Sequence, residues 1–181
     1  MSDQRTEVQD ALFDWIDAVL NENGSPCEIV WDDTGGTRPK PPFISLQMIG
    51  GSRASFPWKS RVDAGTGERT TRFDMRRTVS IHGWGESCME RLDDIADSIS
   101  SDRHRRMLRR NGLVVNALTD IMLSAEDRAN GTETHGYFDI AVTYIRVVKE
   151  ETGWIERVAV ETDLPANPSM DIETGGANGR D

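Results

Sequence analysis

The apolar residues of this sequence change their period along the chain, and the order of those changes limits the fold more than any other feature. Over residues 7–21, Val8, Leu12, Trp15, Ile16, Val19 and Leu20 recur at helical spacing, while Asp10, Asp14, Asp17 and Asn21 share the other side. Asn23-Gly24 and then Pro26 end that helix. The period then shortens. A short strand is expected at 27–31, and a second at 43–49, where Ile44, Leu46 and Met48 alternate with Ser45 and Gln47 behind a proline-rich approach. A third is expected at 73–83, with Phe73, Met75, Val79 and Ile81 on one face. Helical spacing returns at 86–100 through Cys88, Leu92, Ile95, Ala96 and Ile99, and a short helix at 103–111 is closed by Gly112. Strands are then expected at 113–122, 136–148 and 154–162. Grouped strands and separately grouped helices predict an α+β fold: a largely antiparallel sheet with helices packed on one face.

A chain of 181 residues suits one domain, which we place at residues 1–162. An extended polar tail follows at 163–181, rich in Pro, Gly, Asn and Asp and without core material, so that order there requires a neighbour. Only 36% of residues are hydrophobic, and a domain with so modest a core often buries further surface against copies of itself. The formal charge of −10 argues against a chain built to grip nucleic acid. Cys27 and Cys88 stand far apart and form no zinc spacing, so free reduced thiols are expected. With no long apolar run and no secretory h-region, the sequence predicts a soluble protein without a membrane segment, not secreted by the usual route.

No catalytic, cofactor or metal constellation emerges from the spacing. His82 falls in a strand on the face opposite Val79 and Ile81 and is expected to be exposed or at an edge; His104 lies among arginines and His135 in a turn. Gly83-Trp84-Gly85-Glu86-Ser87 has the wrong order for a nucleophile elbow. Ala64-Gly65-Thr66-Gly67-Glu68 lacks the lysine of a phosphate-binding loop. Asp93, Asp94 and Asp97 fit a solvated helix face, and Asn130-Gly131 reads as a turn.

Charge is zoned instead. Residues 3–22 carry six acids against Arg5, whereas residues 102–110 carry Arg103, Arg105, Arg106, Arg109 and Arg110 against Asp102. That run admits three readings: a solvated helix face, a contact for an acidic protein patch such as the one around Asp10, Asp14 and Asp17, or a contact for DNA phosphates. Residues 50–71 read as a long irregular connection with four glycines, placing Phe56 and Trp58 beside Lys59 and Arg61. Loops of that length are uncommon unless they work. The aromatics are candidate interface anchors, against the alternative of Trp58 tucked into its own domain.

Several stretches together resemble the neck and tail terminator proteins of long-tailed bacteriophages. They are Trp31 followed by Arg38-Pro39-Lys40-Pro41-Pro42-Phe43, Val79-Ser80-Ile81-His82-Gly83, Arg91-Leu92-Asp93-Asp94-Ile95, Leu108 with Asn111-Gly112-Leu113-Val114, Glu126-Asp127-Arg128-Ala129, the strand at 137–145 and Ile155-Glu156-Arg157-Val158. Each is weak alone, and their shared order over residues 7–160 carries the resemblance. It implies a virion structural protein and not an enzyme: a ring, usually of six copies, that caps the tail tube and joins it to head-completion and neck proteins. The resemblance also implies the sheath as a neighbour where a tail has one, and DNA that meets the ring only in passing through its lumen. The 50–71 insertion and the 163–181 extension depart from the family pattern. Two other classes of function stay open on the residues alone: another neck or baseplate adaptor such as a head-completion stopper, and a nucleic-acid module or small hydrolase.

Overall fold

A computed structural model of the chain describes residues 4–32, 38–63, 65–128 and 131–151. Ten elements follow in order: α1 (Gln4–Glu22), β1 (Glu28–Trp31), β2 (Phe43–Arg53), β3 (Trp58–Lys59), β4 (Glu68–Trp84), α2 (Cys88–Ser98), α3 (Asp102–Arg110), β5 (Val114–Ala117), β6 (Met122–Arg128) and β7 (Gly131–Glu151). The seven strands form one sheet in the order β1-β2-β4-β7-β5, with β3 added to β4 and β6 to β7. Only β1 and β2 pair in parallel; every other pair is antiparallel. The expected α+β class is the one observed.

Register explains how the apolar alternation becomes a core. Ile44 pairs with Gly83 and Gly83 with Gly136; Leu46 pairs with Ile81 and Ile81 with Phe138; Val79 pairs with Ile140. Because side chains alternate with period two, these residues share one face. Val142 and Val115 extend that face toward the β5 edge. Onto it α1 brings Val8, Leu12, Trp15, Ile16, Val19 and Leu20, and α2 brings Leu92 and Ile95, all buried. Trp15 is completely enclosed, and its indole N–H donates to the Ser98 hydroxyl at 3.1 Å, tying α1 to α2 in the interior.

Two glycines let α2 sit this close. A Cβ at Gly83 would lie 3.1 Å from Leu92 Cγ and 3.2 Å from both Cys88 Cβ and the Cys88 carbonyl oxygen; one at Gly136 would lie 2.9 Å from Leu92 Cδ1. Paired across the β4–β7 ladder, they form a shallow seat for the helix. Gly85 then turns the chain out of β4 with φ of +88°, where a Cβ would meet Pro41 Cβ at 2.7 Å. Cys88 packs in this seat, and burial pushes its thiol above the ordinary value, as it does for half-buried Cys27.

Four expectations are corrected. Residues 50–71 are not an irregular connection: β2 runs to Arg53, β3 adds a short pairing, and β4 begins at Glu68. Its glycines serve strands and a turn. Gly50 and Gly51 follow a register shift after Met48, where Arg77 lies across Gly51. Asp63 Oδ1 accepts from the N–H groups of Gly65 and Thr66 at 2.8 and 2.9 Å and, with Gly67 at φ of +69°, turns the chain into β4. These hydrogen bonds also hold the Asp63 carboxyl below its usual range. Second, the strand expected at 113–122 is two strands, because the Thr119 hydroxyl accepts from the Asp139 N–H where a ladder carbonyl would otherwise do so. Third, β7 is longer than 136–148 at both ends. Fourth, Cys27 precedes β1 instead of lying in it. The expected strand at 154–162 and tail at 163–181 lie outside the described residues, as does part of the Asn130-Gly131 turn.

Three outcomes follow from this packing. Trp15→Ala removes a fully buried indole and is expected to cost about 3–5 kcal/mol in denaturant unfolding. Gly85→Ala combines a disfavoured φ with a steric overlap and is expected to cost about 1–3 kcal/mol in the same assay. Cys88 is expected to resist a thiol reagent in the native protein at neutral pH, where its raised pKa keeps it protonated, and to react on unfolding; native labelling at the unfolded rate would contradict its placement.

Candidate functional site

Three surfaces carry the chemistry this fold displays. The first is the far end of the sheet, where β2, β3, β4 and β7 run beyond the helices. Phe56 is 96% exposed and Trp58 58% exposed, so Trp58 is not tucked into its own domain. The segment around them is nonetheless built. The Ala54 N–H donates to the Asp74 carbonyl at 2.7 Å, the Ser55 hydroxyl to Asp74 Oδ2 at 2.6 Å, and the Ser60 N–H to the Thr70 carbonyl at 2.8 Å. Trp58 pairs with Arg72 in the ladder, and the Arg72 guanidinium lies 5.3 Å from the Trp58 ring centroid. Arg72 pairs in turn with Val147, and Asp74 with Ile145, which sets exposed Trp58, Val147 and Ile145 on one face of this arm. Lys59 and Arg61 are exposed beside them.

The second surface is the helix pair α1 and α3. Asp10, Asp14 and Asp17 stand exposed on α1, with Phe13 partly exposed among them at 37%. Arg103, Arg105, Arg106, Arg109 and Arg110 are exposed around α3, whose Leu108 faces the core. The oppositely charged helices meet within one chain. Arg103 Nη2 lies 2.7 Å from Glu22 Oε1, and His104 Nε2 lies 3.5 Å from Glu22 Oε2. His104 is therefore a buried residue with a carboxylate beside it, where the sequence offered no acidic partner. Between α3 and β5 a groove of about 220 Å³ is floored by Leu108, Leu113 and Val115 and flanked by Arg105 and Arg109. On α2, Asp93 and Asp97 are solvated as expected, whereas Asp94 is half-buried. Burial, and then Asp97, Asp93 and Glu90, push its carboxyl up.

The third surface is a layer of rings on the sheet face away from the helices. Phe43, Trp84, His135, His82 and Tyr137 follow one another across β2, β4 and β7. Centroids are 5.9 Å apart for Phe43–Trp84, 3.8 Å for Trp84–His135, 5.2 Å for His82–His135 and 5.5 Å for His82–Tyr137. The Arg38 guanidinium lies 4.0 Å from the Trp84 ring centroid, a cation–π contact. His82 Nδ1 and His135 Nε2 are 2.9 Å apart, so one donates and the other accepts. Two readings are corrected here: His135 lies in β7 and is buried, and His82 lies on an interior strand, half-buried in the stack. The signal was present but needed register, since only the pairing of His82 with Tyr137 and of Trp84 with His135 brings the rings together. Ser87 is the N-cap of α2, with φ of +55°. Among the described residues, no group of three or more His, Cys, Asp or Glu side chains is placed to hold a metal ion, and no helix is long and apolar enough to cross a membrane.

None of the curated protein sequences matches this chain. A family of phage proteins does. Its match runs over residues 6–167, through the arm that carries Phe56 and Trp58 and both charged helices. The helix-covered sheet described above is thus the body of a protein that belongs to the phage neck terminator family.

Proposed function

We propose that this chain is a structural subunit without enzymatic activity, assembling as a ring of six copies that caps the tail tube and joins it to the head–neck complex. Membership of the phage neck terminator family carries this reading. The distribution of exposed groups supports it: an ordered arm ends in Phe56 and Trp58, and well-populated acidic and basic patches occupy the helices. Exposed aromatics beside cations are the composition of interface anchors. In this reading the arm, with Lys59 and Arg61, grips either the next copy or the tube below, with the sheath as a further neighbour where one is present. DNA passes through the lumen, and a formal charge of −10 on every copy keeps the duplex from adhering to the wall. The ring assembles in the host cytoplasm and ends in the virion at the neck.

Particles lacking the protein test the placement. Overlong or headless tails are the expected phenotype; filled heads that leak DNA would instead mark a head-completion stopper. A Phe56→Ala, Trp58→Ala double variant is expected to keep its stability within about 0.5 kcal/mol, because both side chains are largely exposed, while tail capping falls at least tenfold. Normal tail lengths with this variant would remove the arm from the contact.

A further inference from the structure

The groove between α3 and β5 has a counterpart elsewhere on the same molecule. At about 220 Å³ it falls below the 300–1,000 Å³ typical of small-molecule sites, and its walls suit one large apolar side chain held between cations. Leu108 and Leu113 are buried in its floor, while Val114 stays half-exposed at its rim. Arg105 and Arg109, one helical turn apart, line it together, and among the described residues neither pairs with a carboxylate.

Helix α1 presents the complementary pattern. Asp10, Phe13, Asp14 and Asp17 fall at i, i+3, i+4 and i+7, so they form a single stripe. That stripe points away from the buried one formed by Val8, Leu12, Trp15 and Val19. Phe13 is an apolar side chain left at the surface of an otherwise acidic face. It does not serve its own groove. Phe13 is nine residues before Glu22, the residue at which α1 meets α3, a distance of about 13 Å along the helix axis.

We propose that Phe13 of one copy seats in the α3–β5 groove of the next, with Asp10, Asp14 and Asp17 facing Arg105 and Arg109. The occupant of the groove is a second copy of this chain, and the contact rests on the ring reading above. Its two halves are different surfaces of one molecule, so it repeats head to tail, as closure into a ring requires. Phe13 supplies the apolar insertion. The charges fix which face meets which, because exposed ion pairs add little to affinity and much to register.

The test uses the full-length chain in two variants. One carries Asp14→Arg and Asp17→Arg, the other Arg105→Asp and Arg109→Asp; all four positions are exposed, so thermal melts should match the wild type. Ring content is read by native mass spectrometry and electron microscopy at low and high salt, with wild type as reference. Each variant alone is expected to lose rings at least tenfold at low salt and to recover in part as salt screens the repulsion. An equal mixture is expected to restore rings of alternating copies, since each reversed stripe then meets a reversed groove. Phe13→Ser is expected to lose rings at every salt concentration. Either variant assembling normally alone overturns the proposal, and so does a mixture that fails to rescue. Variants that form rings but no longer join tails also overturn it, assigning the charges to another neck protein. Wild type that forms no ring, alone or on tail tubes, overturns the ring reading itself.

Discussion

The seat made by Gly83 and Gly136 is the constraint on which the rest of this molecule depends. Across the β4–β7 ladder these two positions lack side chains at the one place where α2 comes down on the sheet, and Leu92 fills the space they leave. Interiors are close-packed, so a helix displaced by even a methyl group shifts everything above it. Trp15 then joins α1 to α2 through Ser98. α1 in turn carries the acidic stripe and, through Glu22, reaches α3. The position of every charged group on the helical side traces back to this packing.

Because the helices occupy one face of the sheet, the other is free for a different use. Its even-numbered β4 positions run from the ring layer at His82 and Trp84 to Asp74 and Arg72, next to Trp58 in the arm. Buried ring stacking and exposed aromatics are thus two ends of one continuous surface. A sheet built this way separates labour: the face under the helices and the ring layer opposite it stabilise, and the extended end presents groups outward. The acidic and basic helices add a third surface roughly independent of the sheet's outer face.

What the sequence made legible, and what it hid, follows from the range of the interactions involved. Both amphipathic helices, the short arginine helix with its Gly112 cap and the core alternation of Phe138, Ile140 and Val142 depend on neighbours within a few residues, and all were readable. The arm was not. Gly50, Gly51, Gly65 and Gly67 look like loop punctuation, yet two accompany a register shift in β2 and two form a turn pinned by Asp63. The first residues of β4, Glu68-Arg69-Thr70-Thr71-Arg72, contain no apolar side chain and so have no period to reveal them as a strand. The surroundings of His104, His82 and His135 were hidden for a related reason. Each acquires its environment from a residue tens of positions away: Glu22 for the first, each other for the remaining two. The exposed candidates fared better as surfaces than as partners. Phe56, Trp58 and the five arginines lie on the outside, as their chemistry suggested.

The link between Glu22 and Arg103 bears on how such a protein can close on itself. In a head-to-tail assembly the copy number is set by the angle between the two surfaces that one molecule offers its neighbours. If those surfaces lay on parts free to move against each other, the angle would vary and rings would compete with open filaments. Here the stripe is on α1 and the groove is walled by α3 and β5. α1 and α3 share the core through Leu20 and Leu108, and Glu22 bonds Arg103 where the helices meet. The exposed ion pair is worth little as stability, about 0–1 kcal/mol. Its value lies in holding the start of α3 against the end of α1, with buried His104 packed at the same joint. In the proposed ring, a stripe and a groove carried on helices packed in one core keep a fixed angle, and a fixed angle is what makes a ring of defined size the outcome of a repeated contact.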